Sequence, residues 1–95
     1  MDHYVRIYRW MVDVVSRKPT ERLIYAIIYS FTVSGRTYTG GLRYLMDYTN
    51  ASKMTVLRAL QDLTERKLIL KTDHFVNGVK YCEYVANEAF FPKED

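Results

Sequence analysis

Gly40-Gly41-Leu42-Arg43-Tyr44-Leu45-Met46-Asp47-Tyr48, then Thr49-Asn50-Ala51-Ser52, then Lys53 onward to Lys67: these residues decide the fold. They read as a short helix, a tight polar break and a longer helix. Leu68-Ile69-Leu70-Lys71-Thr72 and Val79-Lys80-Tyr81-Cys82-Glu83-Tyr84-Val85 follow as two strands joined across Asn77-Gly78. Two helices joined by a turn of about three or four residues form a helix-turn-helix unit, whose second helix suits a major groove.

The residue pattern supports each part. Ser52 is placed to cap the long helix, and Val56, Leu60 and Leu63 follow at i, i+4 and i+7 with Leu57 on the flank. That stripe fixes the buried face, so Lys53, Met54, Thr55, Arg58, Gln61 and Asp62 must face outward. Glu65-Arg66-Lys67 makes a polar exit with cations near the negative end of the helix dipole. In the short helix, Leu42, Leu45 and Met46 share the inward face, and Thr39 is a credible N-cap. Asn77-Gly78 is the favoured pair for a type I′ turn, because both central residues need positive φ. Arg36-Thr37-Tyr38 is extended and is expected to add a third strand beside the hairpin. The expected fold is mainly α with a small antiparallel sheet, a winged helix. Its helix-turn-helix covers about 40–67, its wing about 68–86 and an N-terminal extension about 1–18.

Upstream, Tyr4-Val5-Arg6-Ile7-Tyr8 alternates as a short strand or an extended arm, and Arg9 to Val15 has helical spacing. Ser16 to Thr20 is a polar break, with Pro19 suited to a first helical turn. Thr20 to Val33 is apolar nearly all round, which marks a helix buried on more than one side. It carries more apolar surface than a small domain easily covers. A homodimer is therefore expected, with Trp10, Met11, Tyr25 and Tyr29 as the contact set. Ser34-Gly35 ends this helix with a left-handed cap. Phe75 and Val76 give the hairpin an apolar tip, and Pro92 to Asp95 form a polar tail. The chain reads as one domain, either complete or cut from a longer protein.

At 95 residues and 48% hydrophobic, the chain can bury enough apolar surface to offset its ordering entropy, so disorder is excluded. No run of roughly 18 apolar residues and no lipidation signal is present, which points to a soluble cytoplasmic protein without a membrane partner. The one cysteine, Cys82, excludes an internal disulfide, reads as a small packed residue and makes a Cys-based metal site improbable. His3 and His74 stand apart without partners at ligand spacing, and Gly40-Gly41 lacks the Lys-Ser/Thr of a phosphate loop. No constellation of catalytic residues emerges, so neither an enzyme, a cofactor nor a metal is expected.

Charge distribution says more than its total. Of the formal +3, residues 36–80 carry eight basic side chains against four acidic ones, a local +4 that leaves −1 elsewhere. A positive field on the helix-hairpin unit sits where duplex DNA would need it. Lys53, Met54, Thr55 and Arg58, with Ser52 at the tip, are the candidate groove-reading residues. Arg can bond guanine in bidentate fashion, Lys and Thr serve bases or phosphates, and Met54 suits a thymine methyl. Arg36, Arg43, Lys71 and Lys80 are the candidate phosphate contacts around them.

Several stretches carry a family likeness: Ile7 to Met11, Leu23 to Phe31, Tyr38 to Leu45, Ser52 to Leu63, and Lys67-Leu68-Ile69. Together they resemble the winged-helix domains of replication-initiator and regulatory proteins of phages, plasmids and mobile elements in Gram-positive bacteria. The resemblance implies double-stranded DNA binding through the helix beginning near Ser52 and through the wing, in a bacterial or phage-infected cell. Asp62 on the outward face and the apolar wing tip differ from that pattern, in which Lys or Arg is frequent at the tip. The alternative is a protein-interaction winged helix that uses its Tyr- and Phe-rich surface and Phe75-Val76 without binding DNA.

Overall fold

The computed structural model describes residues 5–93; His3 and Tyr4 at one end, and Glu94 and Asp95 at the other, lie outside them. Four helices precede a hairpin: α1 (Arg9–Val14), α2 (Pro19–Val33), α3 (Gly41–Thr49), α4 (Lys53–Glu65), then β1 (Ile69–Val76) and β2 (Val79–Ala86). A single 3-10 turn, Glu88–Phe90, follows, and Val5 to Tyr8 form no strand. The fold is a mixed α/β arrangement of four helices and one antiparallel hairpin.

α2 is the spine. Pro19 opens it, where the missing N–H is an orphan in any case, and Lys18 stays extended at φ −75°, ψ 119°. Ile24, Tyr25, Ala26, Ile27 and Ile28 are all fully buried, so neighbours cover every side of this stretch. α1, α3, α4 and β2 supply that cover. Two of the four residues expected to meet a second copy lie inside instead. Met11 and Tyr25 are at 0% exposure in the core. Trp10 and Tyr29 meet edge to face at 5.5 Å, and Phe91 closes over Tyr29 at 4.8 Å. The C-terminal segment supplies the lid that the sequence alone did not reveal.

Helix ends set the remaining geometry. After α2, Gly35 turns left-handed at φ 78°, its N–H bonds Thr32 O, and the Arg36 N–H bonds Phe31 O. This doubly bonded C-terminal cap leaves Arg36 fixed to the helix. The extended segment after it contributes one bridge, Tyr38 to Tyr84, rather than the expected third strand. Two constraints shorten it: Arg36 is held by the helix cap, and the chain turns into α3 just past Tyr38. Tyr38 is 1% exposed and its hydroxyl donates to Gly41 O at 2.7 Å. A Cβ on Gly40 would stand 2.8 Å from that hydroxyl, so the double glycine serves the close approach of this ring. Gly40, not Thr39, occupies the N-cap position of α3.

α4 lays Val56, Ala59, Leu60 and Leu63 into the core as its spacing requires. It ends at Glu65, two residues before the expected Lys67, because Lys67 adopts the left-handed conformation at φ 65°. The Leu68 N–H then bonds Leu63 O at 3.0 Å, joining two buried leucines across the cap. β1 and β2 pair from Ile69↔Ala86 to Val76↔Val79, so both strands run to the Asn77-Gly78 turn and β1 is longer than expected. Asn77 and Gly78 take φ 52° and 79°, as a type I′ turn demands.

Arg66 ties three helices together. Its guanidinium reaches Glu21 and Asp62 at 3.1 Å each, and the carbonyls of Val14, at 3.3 Å, and Val15. Glu21 is the one buried charged residue among those described, at 6% exposure. Burial pushes its carboxyl above the ordinary value, the nearby Asp62 adds to this, and Ser16 and Arg66 oppose it. Desolvation also acts on Asp62, but bonding with Arg66 and Glu21 prevails and holds its carboxyl low.

Two outcomes follow for stability. Leu60→Ala is expected to cost about 2–5 kcal/mol through a cavity at the centre of the α4 inner face, read as a lowered denaturant midpoint. Arg66→Ala leaves Glu21 buried without its cation and is expected to cost about 1–3 kcal/mol at neutral pH. Its deficit depends on pH with a defined sign. The native state holds the Glu21 proton to a higher pH than the unfolded chain does, so stability falls as pH climbs from 4.5 through the folded value. Removing Arg66 raises that value further. Asp62 contributes stability above 3.8 that is lost on acidification, and removing Arg66 reduces it, leaving only the help of Glu21 and Lys18. Both effects make the Arg66→Ala deficit small in acid and full near neutrality, as unfolding curves across that range will show.

Candidate nucleic-acid interface

The start of α4 is locked by its own cap. Ser52 Oγ accepts the Thr55 N–H at 3.2 Å, and the Ser52 and Thr55 hydroxyls lie 3.0 Å apart. Asn50, left-handed at φ 56°, closes α3, so only Asn50, Ala51 and Ser52 separate the two helices. Ser52, Lys53, Met54, Thr55 and Arg58 are all exposed, with Met54 at 56%. Among the described residues neither Lys53 nor Arg58 has an acidic partner. Asp62, the acid expected to oppose them, is engaged by Arg66.

The hairpin brings further groups to α4. With Val76 opposite Val79, one face carries Lys71, Asp73 and Phe75 beside Lys80, Cys82 and Tyr84. Lys71 and Tyr84 join Met54, Leu57 and Arg58 around an open depression of about 510 Å³ between α4 and the hairpin. Lys71 and Lys80 line a second hollow of about 360 Å³ toward Leu42 and Leu45 of α3. On the other flank of α4, Thr55 and Arg58 face Lys18 and Pro19 across a depression of about 500 Å³.

Asp73 sits between the two hairpin lysines. It lies 3.9 Å from Lys71 Nζ and 3.6 Å from Lys80 Nζ, and Cys82 Sγ donates to it at 3.3 Å. The bond from Cys82 and the two ammonium groups hold its carboxyl below the ordinary range. Cys82 is thus a polar partner rather than the simple packed residue expected. Arg43 pairs with Asp47 at 3.3 Å, both well exposed. Arg36 lays its guanidinium over the Phe31 ring at 4.8 Å. His74 stacks on Tyr81 at 5.0 Å with Nε2 3.2 Å from Glu83 Oε2.

The structure therefore gathers Met54, Thr55, Arg58 and Lys71 around α4, with Ser52 and Lys53 at its tip and Lys80 on the same hairpin face. It leaves Arg36 and Arg43 outside these depressions. Lys18 was not expected at this surface, and Asp73 was expected only as a longer-range acid opposing the field, not as the close partner of both hairpin lysines. Asp73 was legible: the Asn77-Gly78 register, extended by two-residue steps, sets Lys71 and Lys80 on the Asp73 face. Lys18 carried no such signal, since only the α2–α4 packing brings it to α4.

Among the described residues no helix is long and apolar enough to cross a membrane, and no cluster of His, Cys, Asp or Glu gathers to hold a metal ion. No protein-family model, curated protein or solved structure matches the chain.

Proposed function

We propose that the chain binds double-stranded DNA as a winged helix, with the first turns of α4 in the major groove and the hairpin as the wing beside it. The observation that carries this reading is the pairing pattern of the cations. Lys53 and Arg58 project from a capped helix end without acidic partners among the described residues, whereas Arg43, Lys71 and Lys80 are held by Asp47 and Asp73. Uncommitted cations at a helix tip suit base edges and the nearest phosphates. The paired ones exchange a carboxylate for a phosphate only at close range. Such a domain reads few base pairs, so binding is weakly selective and governed by phosphate contacts. The sequence resemblance supports a role in replication initiation or transcriptional regulation of a phage or mobile element.

A protein-binding winged helix is the second reading. It is favoured by the hairpin tip, where Phe75 is 72% and Val79 67% exposed. Duplex titrations separate the two.

The Lys53→Ala, Arg58→Ala double variant is expected to lose about 1–3 kcal/mol of duplex affinity per contact removed while keeping a native circular-dichroism spectrum. Unchanged affinity in a folded variant rules out α4 as the reader. For the parent chain, three or four phosphate contacts give a slope of log affinity against log salt of roughly −3 to −4. The double variant is expected to be shallower by as much as about 1.8, from two contacts at about 0.9 each. Affinity that stays flat with salt favours the protein-binding reading.

A further inference from the structure

Phe75 is the most exposed large apolar side chain among the described residues, at 72%, and Val79 and Val76 beside it reach 67% and 53%. The ring joins neither the buried core nor the partly buried side chains packed against it. The hairpin register fixes what it stands beside. Phe75 sits opposite Lys80, so it shares the face of Lys71, Lys80 and Tyr84, while Val76 and Val79 take the reverse face. Lys71 and Tyr84 line the depression against α4. The ring is therefore on the α4 side of the hairpin, four residues beyond Lys71, or about 13 Å further along the strand. A helix lying in a major groove has the next minor groove about half a turn away, about 17 Å along a duplex whose turn is about 34 Å. The two lengths are of one order.

We propose that Phe75 is an apolar wedge that enters the minor groove next to α4 and opens one base step, so that the protein kinks the duplex it binds. The inference rests on the proposed duplex binding and adds to it a deformation of the DNA. Phe is among the side chains that proteins insert between base steps from the minor groove, kinking the duplex by about 20–90° toward the major groove. The strands beside an opened step need cations on their phosphates, and Lys80 stands directly opposite Phe75 with Lys71 behind it. Both lysines hold Asp73, which a phosphate at close range replaces. A tip made only to meet an apolar protein surface would gain nothing from those ammonium groups. A kink toward the major groove also draws its walls in on α4, where Lys53 and Arg58 have no acidic partner among the described residues. Insertion costs least at steps that unstack readily, so TA steps are favoured over stiff A-tracts. Selectivity then arises from deformability, without contact to a base edge.

The test uses the complete chain and two duplexes of roughly 20 base pairs, one with TA steps at its centre and one with an A-tract there. Binding is read by fluorescence anisotropy, bending by energy transfer between dyes at the two ends, and unstacking by 2-aminopurine placed in the TA steps. The parent should bind the TA duplex, bring its ends together and raise the 2-aminopurine signal, and should bend the A-tract duplex less. Phe75→Ala should abolish both the bend and the 2-aminopurine rise and weaken binding of the TA duplex by about tenfold, the worth of one stacked ring. Phe75→Leu keeps an apolar wedge and should retain the bend. A TA duplex bound without bending, equal bending of the A-tract duplex, or a bend that survives Phe75→Ala would overturn the wedge and leave duplex binding by α4 standing. A parent that binds neither duplex would remove both.

Discussion

The orientation of α4 depends on Arg66. An amphipathic stripe fixes which face of a helix is buried, but it leaves some freedom in tilt and in where the helix ends. Arg66 removes that freedom by holding the C-terminal end of α4 against Glu21 at the start of α2 and against the carbonyls that end α1. The clamp is expensive in isolation, because Glu21 is buried, and it is retained where several bonds converge on one planar cation. The chain passes directly from Arg66 through left-handed Lys67 to buried Leu68 and then into β1. The same residue that sets α4 therefore sets where the hairpin leaves the core, and so the width of the depression between them.

Electrostatics on this surface come in two kinds. Lys53 and Arg58 are open to any anion that reaches the helix tip. Lys71 and Lys80 share Asp73, and Arg43 has Asp47, so their field is partly quenched at distance and recovered only by a ligand close enough to exchange partners. Exposed pairs of this sort are worth little individually, which keeps exchange inexpensive. A modest net charge of +3 is then compatible with the proposed duplex binding, because position and availability matter more than the total.

Much of the fold was readable in the residues. The Val56, Leu60, Leu63 stripe, the Ser52 cap and the Asn77-Gly78 turn each have one favoured geometry, and each is present. The candidate residues on α4 were readable for the same reason, since a buried stripe fixes the opposite face. What escaped depends on contacts distant in sequence. Arg66 and Glu21 are 45 residues apart, and nothing local marks either as a partner. Phe91 covers Trp10 and Tyr29 from the far end of the chain, which is why α2 looked under-covered. The third strand failed because the Arg36 N–H has a better local partner in Phe31 O. Arg36 and Arg43 were expected around the helix tip on charge alone, and charge does not report local partners: Arg36 lies over the Phe31 ring and Arg43 pairs with Asp47.

In the proposed function, the N-terminal turns of α4, flanked by the hairpin, face duplex DNA. Titrating a short duplex into isotopically labelled protein and following backbone amide shifts tests it directly. The largest changes are expected on Ser52 to Arg58, with smaller ones at Lys18, Lys71 and Lys80 and none in the Trp10, Tyr29 and Phe91 cluster. Shifts confined to that aromatic cluster, or no shifts at saturating duplex, would contradict it.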